Sequence, residues 1–553
     1  MKNHWERAWT VADVRAVEGD LLRRAPEGAL MQRAAAGLAA VCARTLRARR
    51  GHLPGARAVL LVGAGNNGGD ALWAGSRLAR RGIRVDAVLL GSSTHEEGLA
   101  ALRAAGGGAV RADRGAALLR GADLVVDGLV GLGGSPGLRE PAAGLVAALS
   151  PPGTPAAPLV VAVDLPSGVD PDTGETPAAH VRADVTVTFG AAKPCLLLPP
   201  ADRAAGRVEL VDIGLLPGLQ ARGAPAVQEL TAAGAAALWP VPTAEDDKYR
   251  RGVVGLVAGS AAYTGAAVLS VGGALRAGAG MVRYVGPDQA TGHVRQAWPE
   301  AVAGAGRVQA WVLGCGVDPD ADDGQAGHIR RALASGLPCA VDAGGLALLG
   351  ADADLRRLLR PQHVLTPHAG ELARLLGAVR RADGAVRGVE RGVERGVERG
   401  GEVTRAEVEA GPLAAARELA AVTGATVLVK GSTTLVVPAA GGPVRISRQA
   451  PAWLATAGAG DVLGGILGTL LAAGLDPADA AALAADVHGR AAGLASHGRG
   501  GTLGGVRTRR GSPGGPILAL DVVAAVPDAV RALLDGGRSR RGETRAAPGA
   551  LPH

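Results

Sequence analysis

Two short runs hold most of the residues that could do chemistry. The first is Gly63-Ala64-Gly65-Asn66-Asn67-Gly68-Gly69-Asp70, and the second is Thr456-Ala457-Gly458-Ala459-Gly460-Asp461. Each sets small residues, whose backbone N–H groups can come close to an anion, beside a carboxylate. Gly63, Gly65 and Gly68 have the GxGxxG spacing of a redox dinucleotide loop, which is a weak signal alone. The acid that would hold a ribose is missing after the next strand, where Leu89-Leu90-Gly91-Ser92 stands instead. Asn66, Asn67 and Asp70 therefore read as polar side chains offered to a ligand. Asp461 beside a phosphate site is unfavourable unless it does chemistry, and taking a proton from a substrate hydroxyl is one such task. An aspartate that merely caps the following helix is the bland alternative.

Three further stretches join these runs. Asp127-Gly128-Leu129-Val130-Gly131-Leu132-Gly133-Gly134 and Asp164-Leu165-Pro166-Ser167-Gly168-Val169-Asp170 each place an acid at a strand end, where turn-forming is the structural alternative. Lys430-Gly431-Ser432-Thr433-Thr434 follows a strand with one cation and several hydroxyls, a nucleotide-phosphate site in outline. The chain has no GxxxxGK[ST], which argues against a P-loop NTPase.

The elements that must position these groups form two series. Two helices are expected over Val11 to Leu46, then buried parallel strands at Ala58 to Val62, Arg84 to Leu90, Leu124 to Asp127, Leu159 to Asp164, Val185 to Phe189 and Val208 to Ile213. Alternation of strands and helices predicts a doubly wound α/β domain whose ligand sits at the strand ends. After loop-like text near Leu215 to Pro225 a second α/β series begins at Val253 to Val257. It continues through Ala310 to Leu313, Cys339 to Asp342, His363 to Thr366 and Thr426 to Val429. Arg-Gly-Val-Glu repeats between Arg387 and Gly400 read as a low-complexity surface insertion, and Arg538 to His553 as a disordered tail.

Composition limits the rest. A chain of 553 residues exceeds one core. The net charge of +8 is diffuse and aromatics are only 2%, which argues against nucleic-acid binding. Cys42, Cys195, Cys315 and Cys339 have no CxxC spacing and sit in apolar text, so neither disulfides nor zinc are expected. Met1 to Thr10 is polar, giving no signal-peptide pattern, and the uncharged Gly252 to Leu275 is broken by a polar glycine loop. A cytoplasmic enzyme without a membrane partner is the expectation, and nothing in the sequence excludes a homo-oligomer.

The residues of the first half, with Thr188-Phe189-Gly190-Ala191-Ala192-Lys193 and Val211-Asp212-Ile213-Gly214, resemble the NAD(P)H-hydrate epimerases over residues 8–217. The resemblance implies a Rossmann-like three-layer domain that binds a damaged dinucleotide as substrate. Asn66, Asn67, Gly68, Gly69, Asp70 and Gly131, Leu132, Gly133, Gly134, Ser135, Pro136, Gly137 would hold it, with Asp164 as the acid–base residue. It also implies potassium on Asn67, Asp127 and Ser167, hard oxygen donors suited to that cation. The Asp127 loop departs from the family, which usually has a Phe and a Thr there.

The second half, through Lys248-Tyr249-Arg250-Arg251-Gly252, Ala258 to Ala266, Thr366-Pro367-His368-Ala369-Gly370-Glu371 and the Lys430 and Asp461 stretches, resembles the ribokinase-like ADP-dependent NAD(P)H-hydrate dehydratases. It spans residues 229–536, apart from an insertion at 384–404 and a tail at 537–553. That resemblance implies a ribokinase-like α/β domain. Ala266, Gly316 and His368 would line the hydrate site with Asp461 as catalytic base. Lys430, Gly431, Ser432, Thr433, Thr434 and Gly460 would bind ADP, the co-substrate, with magnesium. Three departures stand out: Cys315 for a Pro, Gly344 for an acid and Ala369 for a Pro. Together the halves imply a bifunctional repair enzyme for hydrated NADH and NADPH. A vitamin or sugar kinase with an accessory nucleotide-binding domain is the alternative, and a ligand-sensing first half is a third reading.

Overall fold

The structure is a computed structural model and describes residues 5–154, 157–391, 402–498 and 514–542. The chain divides into two compact units, Arg7–Val227 and a second built from Gln228 onward together with the residues up to Glu6. In chain order the first strands are β1 (Trp5–Ala8), β2 (Arg57–Val62), β3 (Arg84–Leu89), β4 (Gly108–Arg111), β5 (Leu124–Gly128), β6 (Leu159–Val163), β7 (Val185–Phe189) and β8 (Arg207–Val211). β2 to β8 form a seven-stranded parallel sheet in the order β4-β3-β2-β5-β6-β7-β8.

Strand order reverses between β2 and β5, and the crevice outside the carboxyl ends at such a point is where doubly wound sheets bind ligands. The centre of the sheet is buried on both faces, so β2, β5 and β6 read as largely apolar runs, while β7 alternates valine with the buried Thr186 and Thr188. Helices Val11–Leu22 and Ala29–Arg50 precede the sheet as expected. β4 was not anticipated: it is a half-buried edge strand, too short and polar to carry an apolar run.

The second unit carries β9 (Val227–Leu230), β10 (Val253–Val257), β11 (Met281–Val285), β12 (Val302–Ala303), β13 (Ala310–Leu313), β14 (Cys339–Val341), β15 (His363–Leu365), β16 (Thr426–Val429), β17 (Thr434–Val437) and β18 (Val444–Ser447). The sheet order is β1-β9-β18-β17-β16-β15-β14-β13-β10-β11-β12, parallel from β12 to β16 and antiparallel through the β16–β17–β18 meander. Both units are α/β with parallel sheets, as expected. Ala459–Ala472 and Pro477–His497 pack much of their length into the apolar core of this unit.

The uncharged stretch expected to be strand, loop and helix is β10 followed by the 13-residue helix Thr264–Arg276. No helix among the described residues is long and apolar enough to cross a membrane. Helix Ala369–Arg391 runs into the segment read as a surface insertion, and helix Ala519–Gly542 runs into the segment read as a disordered tail. The remainder of the repeats and the end of the tail lie outside the described residues.

Candidate active sites

In the first unit a cavity of about 760 Å³ opens at the strand ends. Asn66, Asn67, Asp70, Asp164 and Lys193 line it, with Gly131 to Ser135 and Gly137 on one side and Arg15 and Glu18 of helix Val11–Leu22 on another. Pro136 is not among its lining residues. The run expected as a loop before a helix is instead the helix itself, which starts at Asn66 and ends at Ala79. Two glycines make this start possible. A Cβ on Gly68 would lie 2.2 Å from the Gly63 carbonyl oxygen, and one on Gly69 would lie 2.9 Å from the His95 ring. Gly68 and Gly69 thus let the helix start close against Gly63 and His95, and neither is among the residues that line the cavity. Asn66, Asn67 and Asp70 face it.

Asp164 follows β6 directly at φ +68°, a left-handed conformation that aspartate tolerates and that marks strain held by its surroundings. Its N–H bonds the Val187 carbonyl at 2.8 Å. Its Oδ1 accepts from the Thr188 hydroxyl and the Phe189 N–H, both at 3.1 Å, and from the Lys193 ammonium. Lys193 is 1% exposed and also donates to Thr188 Oγ1 and the Phe189 carbonyl at 3.1 Å each. Three N–H groups thus meet three acceptors, and the ion pair is buried and satisfied. Lys193 closes the Thr188-to-Lys193 stretch that carries the family resemblance, but its partnership with Asp164 was not expected from sequence.

Asp127 is wholly buried, with no lysine or arginine ion pair among the described residues, and burial pushes its carboxyl up to about 6. Ser167 donates to it twice, Oγ to Oδ1 at 2.6 Å and N to Oδ2 at 2.8 Å. Asn67 donates its amide to the Val163 carbonyl at 2.6 Å, and its Oδ1 lies where a Cβ on Gly131 would come within 2.3 Å. Asp127 at the end of β5, Ser167 after β6 and Asn67 in the first turn of helix Asn66–Ala79 therefore converge from three different segments. An unpaired buried carboxylate among hydroxyl, amide and carbonyl oxygens is a donor set that fits a hard monovalent cation.

In the second unit Asp461 stands in the first turn of helix Ala459–Ala472, and Gly458 occupies the capping position at φ +83°. The bland reading of Asp461 as the cap itself is thus set aside. Burial, then the nearby Asp342 carboxylate, pushes Asp461 up to about 7, against the pull of Lys430 and a hydrogen bond from the Cys315 thiol. Lys430 Nζ is held at 2.6 Å by Asp342 Oδ1 and at 3.6 Å by Glu371 Oε2. His368 Nε2 stands 3.6 Å from Glu371 Oε1, and the His368 backbone N–H donates to Glu371 Oε2 at 2.8 Å. Burial and the Lys430 charge lower His368, while Glu371 raises it and partly offsets them. A Cβ on Gly460 would lie 3.5 Å from both Asp342 Oδ2 and Lys430 Nζ. Lys430, Gly460, Asp461 and His368 are therefore neighbours. Gly316 and Ala266 also meet, since a Cβ on Gly316 would fall 2.4 Å from that of Ala266. Thr434 opens β17, and Gly431 to Thr433 form the turn from β16. Asp342 and Glu371 were missed as site residues, because their importance is their distance from Lys430, which no local pattern reveals.

Comparison with known proteins follows this division. The family described as YjeF-related protein N-terminus matches residues 27–195, and the family described as NAD(P)H-hydrate dehydratase matches residues 254–504. The chain is 46% identical over 495 residues to a bifunctional NAD(P)H-hydrate repair enzyme of Mycobacterium leprae, covering 88% of this chain and 94% of that one. It is 45% identical over 481 residues to the like-named Mycobacterium tuberculosis enzyme, covering 86% and 91%. An NAD(P)H-hydrate epimerase of Clavibacter sepedonicus matches the first part alone, at 49% over 218 residues, covering 37% of this chain and 90% of that one. With its Asp164–Lys193 pocket in one unit and its Asp461 site in the other, the chain belongs to the family of bifunctional NAD(P)H-hydrate repair enzymes.

Proposed function

We propose that this chain repairs hydrated NADH and NADPH. Its first unit interconverts the R and S hydrates, and its second dehydrates the S form with ADP, giving the reduced dinucleotide, AMP and phosphate. The observation that carries the reading is likeness to bifunctional repair enzymes over nearly their whole length.

In the first unit Asn66, Asn67, Asp70 and the loop from Gly131 to Gly137 hold the substrate against Asp164. Potassium held by Asn67, Asp127 and Ser167 would neutralise the buried Asp127 carboxylate and fix the loop it anchors. In the second unit Ala266, Gly316 and His368 receive the hydrate, while Lys430 to Thr434 and Gly460 receive ADP. Hydroxide leaves poorly and phosphate leaves well, so phosphorylating the ring hydroxyl first makes elimination feasible. Asp461 takes the hydroxyl proton as the oxygen attacks the terminal phosphorus of ADP. Magnesium would supply charge neutralisation at the transferring group. Loss of phosphate and of the adjacent ring proton then restores the reduced ring.

The test supplies mixed NADH hydrates with ADP and magnesium, and in parallel with ATP. It follows the returning near-ultraviolet absorbance of reduced nicotinamide. Complete conversion of both epimers is expected, and no recovery with either nucleotide would overturn the reading.

A further inference from the structure

The first unit holds a second carboxylate whose surroundings are the opposite of those of Asp164. Asp70 is 6% exposed and lines the same cavity. Its Oδ1 is buried and has no hydrogen-bond partner, and no cation pairs with Asp70 among the described residues. A buried carboxylate left in that condition costs several kcal/mol as an anion and escapes the cost by taking a proton. Two further anions face it from other elements, Asp164 after β6 and Glu18 on helix Val11–Leu22, and both push its carboxyl further upward. The nearby cations are engaged elsewhere. Lys193 is saturated by Asp164, Thr188 and Phe189, and Arg15 donates to the Leu132 carbonyl at 3.1 Å. His95, packed at Gly69, accepts the Gly98 N–H on Nδ1 at 3.0 Å.

We propose that Asp70 is the second acid–base residue of the epimerase pocket, acting as the proton donor opposite the lysine-compensated Asp164. The inference rests on the epimerase reading of this unit and assigns the acid that reading lacks. One carboxyl group has a lysine partner and the other has an unpartnered oxygen, and carboxyl groups in such different environments divide acid and base work between them.

The step balances without an outside reagent. The Asp70 proton goes to the hydroxyl oxygen on the hydrated ring carbon, and the carbon–oxygen bond breaks as water leaves with its electron pair. The ring nitrogen lone pair forms the carbon–nitrogen double bond of an iminium cation, which the Asp164 carboxylate faces. Water adds from the other side, the double-bond pair returns to nitrogen, and the surplus proton of the added water passes to Asp164. Transfer of that proton to Asp70 restores the starting state.

The test compares wild type with Asp70→Asn in the full chain, starting from the R hydrate alone. Consumption of the S hydrate by the second unit runs alongside as a check on the folded protein. Asp70→Asn is expected to slow R-to-S conversion about 100-fold or more while leaving S-hydrate dehydration unchanged. Wild-type epimerisation should decline as pH rises through the Asp70 titration. Infrared spectra of the wild type near neutral pH should show a protonated-carboxyl band that Asp70→Asn removes, a readout independent of turnover. Near wild-type conversion by Asp70→Asn, or absence of that band, would overturn the proposal. A wild-type chain that dehydrates S hydrate yet never converts R hydrate would instead overturn the epimerase reading beneath it.

Discussion

Each unit sets a lysine beside carboxylates at the ends of parallel strands, Lys193 buried and Lys430 part-exposed, yet the lysines are spent differently. Lys193 pairs with Asp164, proposed above as the acid–base residue, in a buried ion pair. Lys430 pairs with Asp342 and Glu371, neighbours of the catalytic carboxylate, and leaves Asp461 at about 7. Where the lysine sits therefore decides whether its charge is spent on the reactive carboxylate or on the neighbours of that carboxylate. A carboxylate paired with a lysine can still face a developing cation. One poised near neutrality can take a proton and hold it.

The largest effects should come from deleting each reactive carboxylate. Asp461→Asn is expected to lower S-hydrate dehydration by about 100- to 10,000-fold while R-to-S conversion continues. Asp164→Asn should do the reverse, and equal loss of both activities in either variant would break the two-site account. Next in size is Lys193→Met, which strands Asp164 as an uncompensated buried anion and should cost the first unit about 3–5 kcal/mol. Urea unfolding would show it as a lowered midpoint in one transition, and an unchanged midpoint would contradict it.

A smaller effect is expected in the pH dependence of the second unit. If Asp461 must be ionised to act as base, kcat/KM for dehydration rises with pH and levels above about 7. Asp342→Asn removes a carboxylate that raises Asp461, so the rising limb should move to lower pH. Movement to higher pH would show that loosening Lys430 outweighs the lost repulsion. The smallest change is assigned to Glu18→Gln, which removes one of the anions facing Asp70. It should move the high-pH decline of epimerisation to lower pH with little change in its maximum.

Much of this arrangement was legible because local patterns dictate it. Apolar runs such as Val59 to Val62 and Leu159 to Val163 announce buried parallel strands, and acid-led glycine stretches mark their ligand-facing ends. Lys193 and Lys430 each stand in a stretch that carries a family resemblance. Their partners could not be read from sequence. Asp342 reaches Lys430 across 88 residues, and Asp164 reaches Lys193 across 29. Glu18 enters the pocket from a helix whose apolar spacing says only that one face is buried. The start of helix Asn66–Ala79 was misjudged because Gly68 and Gly69 look like loop residues until the approach of Gly63 to the one and His95 to the other explains them. β4, β12 and β18 escaped notice as short strands, the first two at sheet edges with mixed burial.

The most direct test of the central claim supplies epimerically pure R hydrate with ADP and magnesium to wild type, Asp164→Asn and Asp461→Asn. Wild type should restore reduced nicotinamide completely. Asp164→Asn should stall at the R hydrate yet consume added S hydrate, and Asp461→Asn should build up S hydrate and stop. Restoration from R hydrate at the wild-type rate by either variant would contradict two sites acting in sequence on one metabolite.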